Sequence, residues 1–313
     1  MKIDYTGYEL FKNYCYNKAK FEDFINHPSY KTILNHGFFY ETGISEKVIK
    51  KALETTDSSF YGFYNIEIFK NNISKFESLI GEIKLYEKEW IKSIENIYFN
   101  YFPEKMLEDI TIYPILGYDV GIGFENSVCL NISNNMYLEN SKEIFYWIIH
   151  EVFHVIYNKI HMIPKINSII SSKNWLDYFK LFLQNEGYAV YFPLNSRIEN
   201  NDVKNEKYPG IYDYKIILDD KKINFEIQNF LKIVKNIEKN KYSEDECIEY
   251  LFGNFRYTYR IGCEMIRRVY KVFGKNAVKE AIYEDYNNFF DNYIYLLQQW
   301  NFYKILNLFI NIV

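Results

Sequence analysis

The sequence predicts a mostly helical α+β protein with one small β-unit placed directly before its most buried helix. Three observations predict this class. Long stretches before residue 105 and after residue 196 carry apolar residues at helical spacing. Two short β-branched runs between residues 110 and 132 flank a segment that contains three glycines. The stretch Ile144 to Ile156 is apolar on nearly every face, which is typical of a central helix.

Composition narrows the function classes. The 313 residues are enough for about two domains of roughly 150 residues each. With 48% hydrophobic and 25% charged residues, the chain is not intrinsically disordered, and its net charge of −4 argues against a general nucleic-acid binder. The N-terminus lacks the apolar core of a signal peptide, and no segment approaches the ~20 apolar residues of a membrane helix. Four scattered cysteines form no CxxC pair. We therefore expect a cytoplasmic protein with free thiols and neither a membrane nor nucleic acid as partner.

The first predicted region, residues 1–105, is helical. Helical spacing is clearest from Asn72 to Tyr101, and Pro103 ends that helix. The second region, residues 106–195, begins with the β-unit. Its strands are Ile110 to Leu116 and Val128 to Ile132, and we interpret the glycine-rich segment between them as a flexible connection.

The central helix follows the β-unit. Asn140 and Glu143 match a capping box at its start, and Pro164 closes the segment. A second helix is predicted from about Trp175 to Pro193. The third region, residues 196–313, then opens with a polar loop to Gly210 and continues as helices that complete the cleft. Gly274 lies where a helix C-cap is expected.

The central helix contains the strongest chemical motif, His150-Glu151-Val152-Phe153-His154. Histidines at positions i and i+4 lie on one helical face, so their imidazoles can bind one cation. Glu151 follows the first histidine and can reach a water molecule at that cation. This is the HExxH arrangement of zinc peptidases, in which the glutamate is the general base.

The third ligand determines the subclass of peptidase. In metzincins a histidine follows a glycine turn after HExxH, but Tyr157 and Ile160 occupy those two positions here. His161 comes one residue late, and at ~1.5 Å per residue along a straight helix it is more than ~10 Å from His150. We therefore interpret His161 as a helix C-terminal or surface histidine. A glutamate from the second helix is the alternative, and Glu186 supplies it.

The stretch Asn185 to Ala189, NEGYA, resembles the NEGFA motif of the M1 aminopeptidases, in which the glutamate is the third zinc ligand. The longer EGYAVYF resembles the EGxAxYF segment of predicted zinc-dependent proteases of the gluzincin group. The resemblance implies a zincin-like core and a Zn²⁺ ion held by His150, His154 and Glu186. Gly187 would let the second helix approach the first closely. If Glu186 is not a ligand, Asp177 or Glu199 is next.

The departures favour the wider gluzincin group over the M1 enzymes. Thirty-one residues (155–185) separate HExxH from Glu186, more than in M1 enzymes. The amine-binding GxMEN motif of those enzymes is matched only weakly by residues 123–126, so we interpret Glu125 as an ordinary loop acid. The likeness covers residues 110–192 well and the flanks poorly.

Hydrolysis also requires a hydrogen-bond donor for the developing oxyanion. We predict Tyr259 for this role, because it lies on a later helix with Gly262 three residues on, which permits close packing. Arg256, Tyr257 and Arg260 are its competitors. The pair Arg267-Arg268 is interpreted as a solvated helix face.

The predicted function is a zinc-dependent peptidase that hydrolyses peptide bonds in a peptide or protein substrate with a metal-activated water. The strand Val128 to Ile132 is the expected edge for an extended substrate. Two alternatives stay open, namely a zinc hydrolase of a non-peptide amide and a catalytically silent zincin-fold binding protein. An intact Glu151 argues against the silent protein, because a site that only binds metal does not need that acid.

Overall fold

A computed structural model describes residues 1–55, 66–164, 174–203, 208–239, 241–253 and 255–299. Within these ranges the chain is mostly helical with a small sheet, as the α+β prediction requires. Its contacts divide the chain into an N-terminal unit, Met1–Ile166, and a C-terminal unit, Asn167–Val313. The three-region division made from the sequence stays a prediction. No helix in the described ranges is both long and apolar enough to cross a membrane.

The N-terminal unit contains one sheet, and helices lie both between its strands and after them in the sequence. Its strands are β1 (Lys2–Ile3), β2 (Thr111–Ile115), β3 (Gly121–Phe124) and β4 (Ser127–Asn131). Its helices are α1 (Thr6–Cys15), α2 (Phe21–Ile25), α3 (Pro28–Phe39), α4 (Glu46–Glu54), α5 (Ile66–Phe99), α6 (Asn135–Glu139) and α7 (Lys142–Ile160), with a 3-10 turn at Glu104–Met106. No sequence pattern predicts β1, which is only two residues long.

The sheet has the order β1-β2-β4-β3. Strand β2 pairs in parallel with β1 and β4, whereas β3 pairs antiparallel with β4. The glycine-rich segment is therefore partly a strand, and the interpretation of it as a flexible connection was wrong for Gly121–Phe124. The predicted edge was also wrong, because β4 has a neighbour on each side and β3 forms the edge. Glycines lower strand propensity, which hid β3 from a pattern-based prediction.

Helix α7 is the predicted central helix, and most of its side chains are buried. The capping box predicted at Asn140 and Glu143 was wrong, because the N-cap residue of α7 is Ser141. The Asn140 side chain instead accepts a hydrogen bond from the Lys142 backbone N–H at 3.3 Å. From α5, the Tyr98 hydroxyl donates to the carbonyl of Ile149, within buried surroundings. The helix ends at Ile160, and His161 is its C-cap residue. The backbone of the HExxH turn is thus fixed from α5 as well as by its own helix.

In its described residues the C-terminal unit contains helices joined by turns and short irregular segments. Its helices are α8 (Trp175–Glu199), α9 (Pro209–Leu218), α10 (Asp220–Glu238), α11 (Glu244–Phe252), α12 (Tyr257–Tyr283) and α13 (Tyr286–Gln298). Gly274 interrupts α12 with φ 81° and ψ −175°, so the break predicted at this glycine is observed as a kink within α12.

Two glycines let the backbones of α8 and α12 touch. A Cβ added to Gly262 would lie 2.1 Å from the carbonyl oxygen of Leu183, and one added to Gly187 would lie 2.7 Å from the Gly262 Cα. Neither position can accept a side chain without separating the helices. The close packing predicted for Gly262 is present, and α12 is the element against which Gly187 packs.

The predicted end of the second helix at Pro193 was wrong, because α8 continues to Glu199. A proline inside a helix removes one backbone hydrogen bond and usually ends the helix. Here Leu194, Ser196 and Arg197 are all buried beyond the proline. Burial of the last turn stabilises the helix despite the missing bond, since tertiary packing contributes most of the stability of helices in proteins.

The interpretation of Arg267-Arg268 as a solvated face was also wrong. Arg268 is 1% exposed; its Nε donates to Glu264 at 2.8 Å, and an Nη donates to the carbonyl of Leu296 at 3.0 Å. Arg267 donates to the same carboxylate and to the carbonyl of Ile217, both at 2.8 Å. A buried guanidinium requires such partners, and the sequence alone does not show them.

Candidate metal centre

Helix α7 brings two imidazoles together at the HExxH turn. The Nε2 atoms of His150 and His154 are 3.1 Å apart. Two nitrogens that each lie about 2.0–2.1 Å from a tetrahedral zinc ion are about 3.3 Å apart. The spacing of the pair therefore matches two positions of one tetrahedral ion to within a few tenths of an ångström.

Glu186 supplies the third potential ligand. It is 8% exposed on α8, and one ligand atom from each of His150, His154 and Glu186 lies within 4.8 Å of the other two. Two imidazole nitrogens and a carboxylate oxygen are the donor set of many catalytic zinc sites, which leave the fourth position open. This cluster can bind a metal ion, and its donor chemistry fits zinc.

The other residues weighed for a role at the site lie elsewhere. His161 caps the C-terminus of α7, and its ring centroid lies 4.3 Å from that of Tyr157. Glu125 is exposed in the β3–β4 turn with φ 52°, and it accepts a hydrogen bond from Asn35 at 3.5 Å. Asp177 lies in the first turn of α8, where it accepts a hydrogen bond from Asn174. Within the described residues, none of them belongs to the cluster of three.

Glu151 is 4% exposed and lies against strand β3. A Cβ on Gly121 would lie 3.0 Å from its Oε1, and a Cβ on Gly123 would lie 2.1 Å from its backbone oxygen. The two glycines thus make room for the HExxH turn. Burial raises the pKa of the Tyr98 and Tyr137 phenols well above their usual range, and the negative charge of Glu151 raises both further.

Arg256 connects the remaining candidates of the C-terminal unit. Its guanidinium lies 3.8 Å from the centroid of the Tyr259 ring, and its Nε donates to Asp213 at 2.6 Å. Burial lowers the pKa of Arg256, but the charge and hydrogen bond of Asp213 and the charges of Tyr259 and Glu186 together raise it above its usual value. Tyr259 and Glu186 are therefore both within electrostatic reach of one arginine.

The competitors of Tyr259 have other surroundings. Tyr257 is 3% exposed, stacks on Phe255 at 5.7 Å between ring centroids, and packs near Phe230. These contacts are typical of an aromatic core residue. Arg260 is 7% exposed, and its Nε donates to Asp213 at 2.6 Å. Tyr259 itself is half-buried, and its catalytic role stays a prediction.

Asp213 and His36 are two residues near the site that no sequence pattern predicts. Asp213 is fully buried and accepts hydrogen bonds from both Arg256 and Arg260, but no local pattern marks an acid whose partners are over 40 residues away. His36 lies in the last turn of α3, within electrostatic reach of His154. The only sequence signal for it is that the chain contains five histidines, so each one is a potential functional residue.

Comparison with known proteins identifies a family. The model of the family described as "Putative zinc dependent peptidase (DUF5700)" matches residues 21–301, which include every residue of the candidate metal cluster. No curated protein and no solved structure matches the chain significantly.

Proposed function

We propose, from the premise that this chain belongs to the zinc-dependent peptidase family DUF5700, that it hydrolyses peptide bonds with a zinc ion held by His150, His154 and Glu186. One observation carries the proposal: the ligand atoms of these residues lie within 4.8 Å of one another. The ligand order, HExxH followed by a glutamate on a later helix, is that of gluzincins, so we assign the chain to a gluzincin-like class.

Glu151 is the proposed general base. A zinc ion in this cluster would lower the pKa of a bound water to about 7 and polarise a substrate carbonyl. Glu151 follows His150 on the same helical turn, and its carboxylate accepts the proton of the attacking water. It then passes that proton to the leaving amine. Its burial supports this role, because a carboxylate shielded from bulk water keeps its proton for the leaving group.

Strand β3 is the proposed site for the substrate backbone. In the described residues β3 pairs only with β4, so its other edge has backbone groups that a peptide strand can pair with. Its glycines lie directly against Glu151 and the His154 Cβ, as the contacts of a Cβ at Gly123 indicate. An extended peptide on this edge would therefore run past the HExxH turn.

Tyr259 is the proposed donor to the oxyanion. A phenol is neutral at pH 7 and donates a strong hydrogen bond. Two observations support the choice: the ring is held by the Arg256 guanidinium, and Arg256 also interacts with Glu186. The guanidinium is in turn fixed by the buried Asp213, which limits the freedom of the whole group.

The two alternatives differ from this proposal in what Glu151 does and in which bond is cleaved. A silent binding protein has no use for a buried base beside the metal ligands. A hydrolase of a non-peptide amide would use the same residues, but it would not need an accessible strand edge. The edge of β3 therefore favours a peptide substrate.

Metal analysis together with matched glutamine variants tests the proposal. We expect one zinc per chain in the wild type and in Glu151→Gln, with Glu151→Gln losing nearly all turnover of a quenched-fluorescence peptide. Glu186→Gln should lose zinc. Glu143→Gln is the matched control, because Glu143 is buried two turns earlier on the same helix, and it should keep both zinc and turnover.

Each of three other results would contradict a different part of the proposal. Loss of zinc in Glu151→Gln would show that Glu151 is a ligand instead of a base. Full zinc content in Glu186→Gln would reject Glu186 as the third ligand. Wild-type zinc without turnover of any peptide would favour the alternatives.

A further inference from the structure

His36 lies in a half-buried group of aromatic rings at the end of α3. Its ring centroid is 4.6 Å from that of Tyr40, 5.6 Å from that of Phe124 and 5.7 Å from that of Tyr118. Phe124 is the last residue of β3, so His36 lies beside the edge strand. The charge of His154 lowers the pKa of His36, so the two imidazoles lie within electrostatic reach of each other.

One nitrogen of the imidazole is already engaged. His36 Nδ1 lies 2.9 Å from the Tyr118 hydroxyl, which in turn lies 3.2 Å from the Thr42 hydroxyl. If Thr42 donates to Tyr118 and Tyr118 donates to Nδ1, the proton of the neutral ring is on Nε2. Such a chain of hydrogen bonds fixes both the tautomer and the orientation of a histidine.

The backbone around Tyr118 is strained in a way that maintains this contact. Gly117 has φ 93° and Tyr118 has φ 75°, and a positive φ is rare for a bulky residue and strains its backbone. Strained residues of this kind cluster at functional sites. The hydrogen bond to His36 is one interaction that this turn makes possible.

The second nitrogen faces no partner. Within the described ranges, His36 Nε2 forms no hydrogen bond, although the ring is half-buried. Burial lowers the pKa of His36 to about 4, with a smaller contribution from the charge of His154. The ring is therefore neutral at pH 7, and with Tyr118 as the donor to Nδ1 its one N–H is on Nε2, in a ring that packs against Phe124 of the edge strand.

We infer that His36 is a substrate-binding residue whose Nε2–H donates a hydrogen bond to a main-chain carbonyl oxygen of a peptide lying along β3. Tyr118 is the positioning residue that fixes the donor tautomer. This inference rests on the proposed function, because it assumes a peptide substrate on the β3 edge. It concerns binding of the ground state, so it predicts a change in KM and not in kcat.

The test uses His36→Phe, which keeps an aromatic ring among the other rings and removes the donor. We expect KM for a quenched-fluorescence peptide to rise ~10-fold with kcat within about twofold of wild type, because one hydrogen bond is lost. Zinc content should not change. Tyr118→Phe should raise KM about threefold, since only the fixed tautomer is lost.

His27→Phe is the matched control. His27 lies at the other end of α3, is also half-buried, and has both ring nitrogens engaged, with Ser29 at 2.9 Å and Thr6 at 2.8 Å. The His27→Phe variant should have the KM and kcat of the wild type. Its melting temperature can fall, because the Ser29 backbone N–H at the start of α3 loses the acceptor Nδ1 of His27.

An unchanged KM in His36→Phe, or a fall in kcat at constant KM, would overturn the inference while leaving the proposed function intact. If His36→Phe does not fold, Tyr118→Phe decides, and wild-type KM in that variant would reject the arrangement. Absence of wild-type turnover would instead overturn the proposed function, and the inference with it.

Discussion

Gly123→Ala tests whether contact between β3 and the HExxH turn controls both folding and catalysis. The added Cβ would lie 2.1 Å from the Glu151 carbonyl oxygen and 3.1 Å from the His154 Cβ. Ordinary contact at this site begins at 3.4 Å, so the strand and the helix must separate by about 3.4 − 2.1 = 1.3 Å. Overpacking of this size typically destabilises a protein by about 1–3 kcal/mol.

The separation should also reduce activity. A misplacement of about 1 Å between a binding element and the reacting groups can cost about 10²-fold in rate. We therefore expect Gly123→Ala to lower kcat/KM by about 100-fold and to lower the melting temperature by several degrees. Thermal unfolding and peptide turnover of the purified variant measure both effects, and zinc content is measured in parallel.

Gly81→Ala is the matched control. Gly81 is exposed inside α5, and an added Cβ there meets nothing within 4 Å. Alanine is the better helix former, so this variant should be more stable than wild type by about 0.5–1 kcal/mol with unchanged turnover. Wild-type stability and turnover in Gly123→Ala would refute the reasoning, because the clash would then be relieved without moving the strand or the helix.

Two further predictions concern the C-terminal unit and the thiols. Tyr259→Phe should lower turnover by roughly 10²–10³-fold with zinc retained, whereas Tyr257→Phe should not change it; equal losses would contradict the assignment of the oxyanion donor. Burial raises the pKa of Cys247 to about 11 and of Cys15 to about 12, so both thiols are protonated at pH 8. Iodoacetamide should then label them only after denaturation, and rapid labelling of the folded protein, detected by mass spectrometry, would contradict their burial.

The parts of the fold and site that follow from the sequence are those set by local spacing. The HExxH motif places two histidines on one helical face wherever a helix forms, and the apolar stretch around it predicts that helix. Strands β2 and β4 were predicted from their β-branched residues for the same reason. In each case the signal lies within about a dozen consecutive residues.

The parts that could not be predicted depend on contacts that only the folded chain makes. Strand β3 forms despite its glycines because β4 pairs with it. Arg268 is buried because Glu264 and the carbonyl of Leu296 near the end of α13 accept its hydrogen bonds. His36 gains a potential role only when the fold brings Tyr118 and Phe124 against it, 82 and 88 residues later in the chain. No short window of the sequence contains His36 together with Tyr118 or Phe124, or Arg268 together with Leu296.

Close backbone packing explains how the same fold can hold functional side chains in place. Gly123 lets β3 contact the turn that carries Glu151 and His154, and Gly187, next to Glu186, lets α8 contact α12. In the N-terminal unit the backbone contact is made by Glu151 itself, and in the C-terminal unit it is made by Gly187, the residue after Glu186. Such contacts leave less freedom than side-chain packing, because neither partner has rotamers through which it can adjust. The precision of the site therefore depends on these glycines, so replacing them should reduce activity as well as stability.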